Sequence, residues 1–232
     1  MSHPNLLAGT DQTITGSSAA DTITFTSENT TIIAGDGANT ITGTSGHNLI
    51  SAGSGVDTIT LTSGDNTINA GDGANTITAT SGHNIITTGD GVDTIALTSG
   101  NNTINAGGGA NTITATSGYN IITTGNGVDT ITAGDGGNLI IAGDGANTVT
   151  TGAGNDTVFT GVDIDTITTG AGDDRIHITG GTDTVTAGAG ADTLIVSYSA
   201  AMGAITTGAL AGTLATGYAG NIGSGHSYLL RR

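Results

Sequence analysis

Every ninth residue from Ile14 to Leu194 is aliphatic, without a miss. The file runs Ile14, Ile23, Ile32, Ile41, Ile50 and onward through Val149, Val158, Ile167, Ile176 and Val185. It defines 21 in-phase units of nine residues between Leu7 and Ile195, with no insertion or deletion. A self-similar period of this kind is the mark of stacked repeats, each too small to bury its apolar side alone. A representative unit is Ala34-Gly35-Asp36-Gly37-Ala38-Asn39-Thr40-Ile41-Thr42. Its first six residues are turn formers: Gly where the backbone turns left-handed, then Asp or Asn. Its last three predict a short β-strand, with Ile inward and both Thr outward by the period of two. Such a strand is viable only when stacked on copies of itself.

Composition narrows the chemistry. The 232 residues include 42 Gly with no three-residue period, so a collagen-like chain is excluded. There are three Arg, no Lys and 19 acids, and Glu28 is the one acid that is not Asp. Asp and Glu carry the same charge, so solubility does not explain the preference; Asp is the acid of tight turns and of calcium loops. A net charge of −16 argues against nucleic acid and anionic membranes as partners and favours metal cations. Cys is absent, so neither disulfides nor thiol chemistry arise. No stretch approaches the roughly 18 apolar residues of a membrane span. Residues 1–7 lack the basic and apolar regions of a cleavable export signal.

The unit resembles the RTX nonapeptide, G-G-x-G-x-D-x-U-x, where U is a large aliphatic residue. The resemblance is carried by stretches such as Thr151-Gly152-Ala153-Gly154-Asn155-Asp156-Thr157-Val158 and Thr169-Gly170-Ala171-Gly172-Asp173-Asp174-Arg175-Ile176. It implies an all-β fold, a right-handed parallel β-roll (β-solenoid), with successive units on alternate sides and a thin core of two stacked aliphatic ladders. Two nonapeptides, 18 residues, would make each coil, and 21 units make about ten coils, a roll roughly 50 Å long. The organisation expected is a tail at 1–6, the roll at 7–195 and a cap or secretion-signal segment at 196–232. The resemblance also implies Ca2+ held between neighbouring turns on one edge by sixth-position carboxylates and turn carbonyls, coupling metal binding to folding.

The carboxylates that fit are Asp21, Asp57, Asp93, Asp129, Asp156, Asp165, Asp174, Asp183 and Asp192. Asp156, Asp174 and Asp192 fall on one edge, with Asp165 and Asp183 on the other, so the C-terminal coils should hold the tightest sites. Elsewhere one edge alternates Asn39, Asp57, Asn75, Asp93, Asn111 and Asp129, giving weaker sites with one carboxylate per gap. The other edge repeats Thr-Ser-Gly-x-Asn and should be metal-free, held by stacked Thr, Ser and Asn hydrogen bonds. The same Asp could instead be turn formers with no metal.

A longer period of 36 residues separates two faces. One carries near-unbroken Thr files, among them Thr40/Thr42, Thr58/Thr60, Thr76/Thr78, Thr112/Thr114, Thr130/Thr132 and Thr148/Thr150. Thr-x-Thr files on a flat solenoid resemble those of several ice-binding proteins, although Thr also stabilises sheets in its own right. The other face shows aliphatics at Leu49, Ile85, Ile121, Leu139 and Ile141, a periodic row that suggests self-association. His47, Asp65, His83, Asn101 and Tyr119 form a stacked turn row, read as solvated rather than metal-binding.

No constellation of nucleophile and base stands out, and the roll leaves no room for a catalytic domain beside it. The sequence therefore predicts a non-enzymatic, extracellular or cell-surface module exported without a cleaved N-terminal signal. Its partners would be Ca2+, further copies of itself as a homo-oligomer, and ice or an extracellular polymer surface.

Overall fold

The structure, a computed structural model, describes residues 12–26 and 29–197 in full. Beyond these it describes the backbone strands Thr206–Thr207, Ala219–Asn221 and Ser227–Arg231. The predicted tail at 1–6 and most of the segment 196–232 lie outside the described residues.

The strands from Thr13–Thr15 to Thr193–Ser197 alternate strictly between two sheets. Odd-numbered strands, from Thr13–Thr15 to Thr193–Ser197, form the first. Even-numbered strands, from Thr22–Phe25 to Thr184–Thr186, form the second. Between Thr13 and Ser197 a residue pairs in parallel with the one 18 positions on, as Ile14 with Ile32 and Thr94 with Thr112; beyond, Ser227–Arg231 joins the first sheet beside Thr193–Ser197 and pairs antiparallel with Ala219–Asn221. The chain is thus an all-β parallel solenoid of about ten turns, 18 residues to a turn. We call the first sheet the mixed sheet and the second the Thr sheet.

The turns stack as well as the strands do. The Gly37 N–H donates to the Ser54 carbonyl at 2.8 Å and the Gly73 N–H to the Asp90 carbonyl at 2.9 Å. This close stacking explains the glycines. Gly109 has φ of 109°, and a Cβ there would collide with the Gly91 carbonyl of the preceding coil. Side chains are therefore excluded both by the left-handed backbone and by the neighbouring coil.

The interior is fuller than two aliphatic ladders. The eighth-position file, including Ile41, Ile59, Ile113 and Ile140, is fully buried. From Phe25 onward two further positions of each unit also face inward. The first is mostly small, as at Ala34, Ala52, Ala70 and Ala115. The sixth is the Asn or Asp, as at Asn39, Asp57 and Asn102. These polar groups face inward because a narrow roll closes each turn over its own sixth residue. Near the N-terminal end Phe25 fills the first position; its ring occupies the space that a side chain at Gly43 would need.

Candidate metal centres

Burying a polar side chain in every turn requires partners for all of its atoms. The sixth position solves half of this by stacking. Each Oδ1 accepts the backbone N–H of the sixth residue one coil earlier. Along one edge the Asn39 N–H donates to Asp57 Oδ1 at 2.8 Å and the Asp57 N–H to Asn75 Oδ1 at 2.9 Å. The Asn75 N–H donates to Asp93 Oδ1 at 2.8 Å, and the ladder continues to the Asp165 N–H on Asp183 Oδ1 at 2.9 Å. On the other edge it runs from Thr30 through Asn48, Asn66, Asn84, Asn102, Asn120 and Asn138 to Asp156, Asp174 and Asp192.

The second side-chain atom separates Asn from Asp. Asn39 Nδ2 donates to the Gly35, Gly37 and Ala52 carbonyls at 3.0 to 3.1 Å. Asn75 Nδ2 does the same to Gly71 and Gly73, and Asn138 Nδ2 to Gly134 and Gly136. An Asp held by the same Oδ1 bond places Oδ2 where Asn places this amide, facing the same kind of carbonyls with no hydrogen to offer. Oδ2 is accordingly buried and without a hydrogen-bond partner in Asp57, Asp93, Asp129, Asp156, Asp165, Asp174 and Asp183. Asp21 differs: its Oδ2 accepts from both the backbone N–H and the hydroxyl of Ser17.

An unpaired carboxylate oxygen among carbonyl oxygens is an all-oxygen donor set suited to a hard cation such as Ca2+. Electrostatics point the same way. Burial pushes the carboxyl groups of Asp57, Asp93, Asp156, Asp174 and Asp183 above the ordinary range, against smaller lowering effects of hydrogen bonds. Asp165 is raised to about 6, mainly by burial, with repulsion from Asp183 adding to it. Asp156 and Asp192 similarly repel Asp174. A cation or a proton is needed to relieve them.

Among the described residues no group of three or more His, Asp or Glu converges on one point. An ion held at one of these turns would therefore meet one or two carboxylates and take its remaining ligands from other oxygens of the turns. The Asn turns need no ion. Asn48 Nδ2 donates to the Ser45 and Gly46 carbonyls and to Asn66 Oδ1, and Asn66 Nδ2 to Gly64 and Asn84 Oδ1. Serines fasten these turns from outside: Ser63 Oγ donates to the Thr44 carbonyl at 3.0 Å and Ser99 Oγ to Thr80 at 3.1 Å.

The two faces are placed as follows. On the Thr sheet Thr40, Thr58, Thr76, Thr94, Thr112, Thr130 and Thr148 pair in one unbroken register. Thr60, Thr114, Thr132 and Thr150 are exposed beside them; Thr42 and Thr78 are half-buried, and Ala96 interrupts their file. On the mixed sheet Leu49 and Ile85 are 52% and 53% exposed and Ile141 40%, whereas Ile121 and Leu139 are half-buried. The row is thus uneven. Ile33, also exposed, extends it towards the N-terminus.

A second apolar row escaped the sequence reading. Val56, Val92 and Val128 are all more than half exposed on one turn edge, every second coil. Its signal is the same 36-residue period, with Val beside Asp where intervening turns have Ala beside Asn. The His47 row is a further ladder on the other edge: His47 Nδ1 accepts the Asp65 N–H, Asp65 Oδ1 the His83 N–H, and His83 Nδ1 the Asn101 N–H. Its side chains are exposed hydrogen-bond acceptors between coils.

No curated protein and no solved structure matches the chain. The family model described as the RTX calcium-binding nonapeptide repeat matches residues 26–59, 60–95, 87–122, 105–140, 123–158, 132–167 and 159–194, an unbroken span of the roll. With its Gly-rich turns, buried sixth-position Asp and aliphatic ladder, the chain belongs to the RTX calcium-binding nonapeptide repeat family.

Proposed function

We propose that the chain is a non-enzymatic, extracellular structural module, a calcium-stiffened rod that self-associates or adheres through its mixed sheet. The observation that carries this is the apolar row itself. Leu49 and Ile85 stand half-exposed two coils apart on a face whose outward residues from Thr31 to Ile141 carry no charge. On a chain of net charge −16, an uncharged flat face is where a second molecule can approach most closely. Calcium would set the rod's rigidity by filling the Asp turns, which then present the face in register.

The test is sedimentation at rising protein concentration with calcium present. The expected result is reversible dimers or higher oligomers. These should be lost when Leu49, Ile85 and Ile121 are replaced by Thr, the residue at Thr67 and Thr103 in the same file. A monomer at every concentration removes self-association.

A second reading is favoured by a separate observation, the in-register Thr files of the opposite sheet. Their steps are about 4.8 Å along the roll, and a flat lattice of methyls and hydroxyls can order water in an ice-like layer. The calcium-loaded protein would then shape ice crystals, and Thr112→Tyr would abolish the effect. Round crystals grown in the folded, calcium-loaded protein exclude it.

A further inference from the structure

The first position of each unit holds a pattern that the calcium motif does not require. It is Thr in five units: Thr88, Thr124, Thr151, Thr160 and Thr169. Every one of these units has Asp at the sixth position, respectively Asp93, Asp129, Asp156, Asp165 and Asp174. None of the ten Asn turns has Thr there; they use Ala, Gly or Leu. All five Thr are buried, none more than 6% exposed, in a file otherwise apolar. A hydroxyl is disfavoured in such a file unless something there uses it.

The hydroxyls lie close enough to the carboxylates of their own turns to oppose the rise that burial causes: Thr88 beside Asp93, Thr151 beside Asp156, Thr160 beside Asp165 and Thr169 beside Asp174. Three of them donate their proton elsewhere. Thr88 Oγ1 donates to the Ala106 carbonyl at 2.9 Å, Thr151 Oγ1 to Thr169 at 2.9 Å and Thr169 Oγ1 to Ala187 at 3.0 Å. What remains to face Asp Oδ2 is an oxygen lone pair. Thr124 and Thr160 make no hydrogen bond with Oγ1, just as Asp129 and Asp165 make none with Oδ2. A purely structural role, donating to the next coil, accounts for three of the five. Supplying an oxygen to a shared cation accounts for all five and for their absence beside Asn.

We propose that Thr88, Thr124, Thr151, Thr160 and Thr169 are interior calcium ligands, each completing from inside the roll the site that its sixth-position Asp opens. This rests on the reading of the Asp turns as calcium centres. It sorts those centres into two classes. Asp93, Asp129, Asp156, Asp165 and Asp174 have an inner hydroxyl; Asp57, Asp183 and Asp192 follow Ala52, Ile178 and Ala187 and have none.

The test is calcium titration by calorimetry on the whole chain, on the double variant Thr124→Val and Thr160→Val, whose hydroxyls donate to no carbonyl, and on the double variant with Ser at both positions. Val keeps the shape and removes the oxygen, while Ser keeps the oxygen. Thermal melting in chelator is measured alongside. The expected result is roughly tenfold weaker binding at two sites in the Val variant, about the worth of one bond to a charged group. Its calcium-free melting temperature should be unchanged or raised, and Ser should restore the affinity. Equal affinity in the Val variant and the parent overturns the inference while leaving the calcium centres intact. So does an equal loss of melting temperature with and without calcium, which marks a structural hydroxyl. Absence of calcium binding by the parent overturns both readings.

Discussion

At the scale of single residues, the protein runs an internal comparison between an amide and a carboxylate in one stacked position. Asn75 and Asp93 are neighbours on one edge, both buried, both held through Oδ1. Asn75 supplies hydrogens to its turn, whereas Asp93 leaves Oδ2 unpaired. Asp93→Asn should therefore stabilise the calcium-free protein by about 1–3 kcal/mol, the typical cost of an unsatisfied buried group. It should also remove that turn's calcium response; melting with and without chelator measures both. The pH response follows from the same groups. Burial raises the Asp165 carboxyl to about 6, above its ordinary value of 3.8. A raised carboxyl binds its proton more tightly when folded, so its stabilising contribution is full below about pH 4 and is lost as pH rises through 6. Without calcium the roll should melt at a higher temperature near pH 4 than at pH 7. Calcium should restore stability above pH 6 and compete with protons below it. A calcium-free melting temperature that falls on acidification refutes this.

At the scale of elements, a half-coil is a turn and a three- to six-residue strand, stable only by being copied. The strand half is legible in the sequence, because an unbroken ninth-residue aliphatic file with Thr on either side has few other solutions. So is the need for Gly in the turns. The inward aim of the first and sixth positions is not legible. Asn and Asp read as surface residues, and their burial depends on acceptors and donors that exist only after one coil stacks on the next, as Asn39 does on Asp57. The first-position Thr and the exposed Val56, Val92 and Val128 were visible as letters, but their meaning depends on which side of the backbone they occupy. The turns also carry the strictest local demand. Gly109→Ala would meet both a φ of 109° and the Gly91 carbonyl. Because the backbones already hydrogen-bond across that gap, it cannot widen without breaking the ladder. The variant should lose more than about 2 kcal/mol in thermal melting, beyond the usual Gly-to-Ala effect at a left-handed site. Ala38→Gly, at an exposed turn position, should lose well under 1 kcal/mol.

At the scale of the whole molecule, the two edges age differently along the roll. On one, Asn48 to Asn138 form an amide ladder that satisfies itself. It then gives way to Asp156, Asp174 and Asp192 in three successive coils. On the other, Asp and Asn alternate until Asp165 and Asp183 stand next to each other. The last coils therefore concentrate buried carboxylates on both edges at once, with Oδ2 unpaired in Asp156, Asp165, Asp174 and Asp183, while the middle has them on one edge and in every second coil. In a stacked array each coil is supported by its neighbours alone, so an end can open without the rest. Removing calcium should consequently loosen residues 151–195 first and leave 43–142 protected. Hydrogen exchange in chelator would show this as early loss of protection at the C-terminal strands, with the Asn-laddered coils exchanging last. Uniform loss along the roll would mean that the amide ladder does not substitute for the ion. Asp156→Asn combined with Asp174→Asn makes the opposite case, since it extends that ladder towards the end. If the amide is a true stand-in for calcium, the double variant should carry protection further towards the C-terminus in chelator.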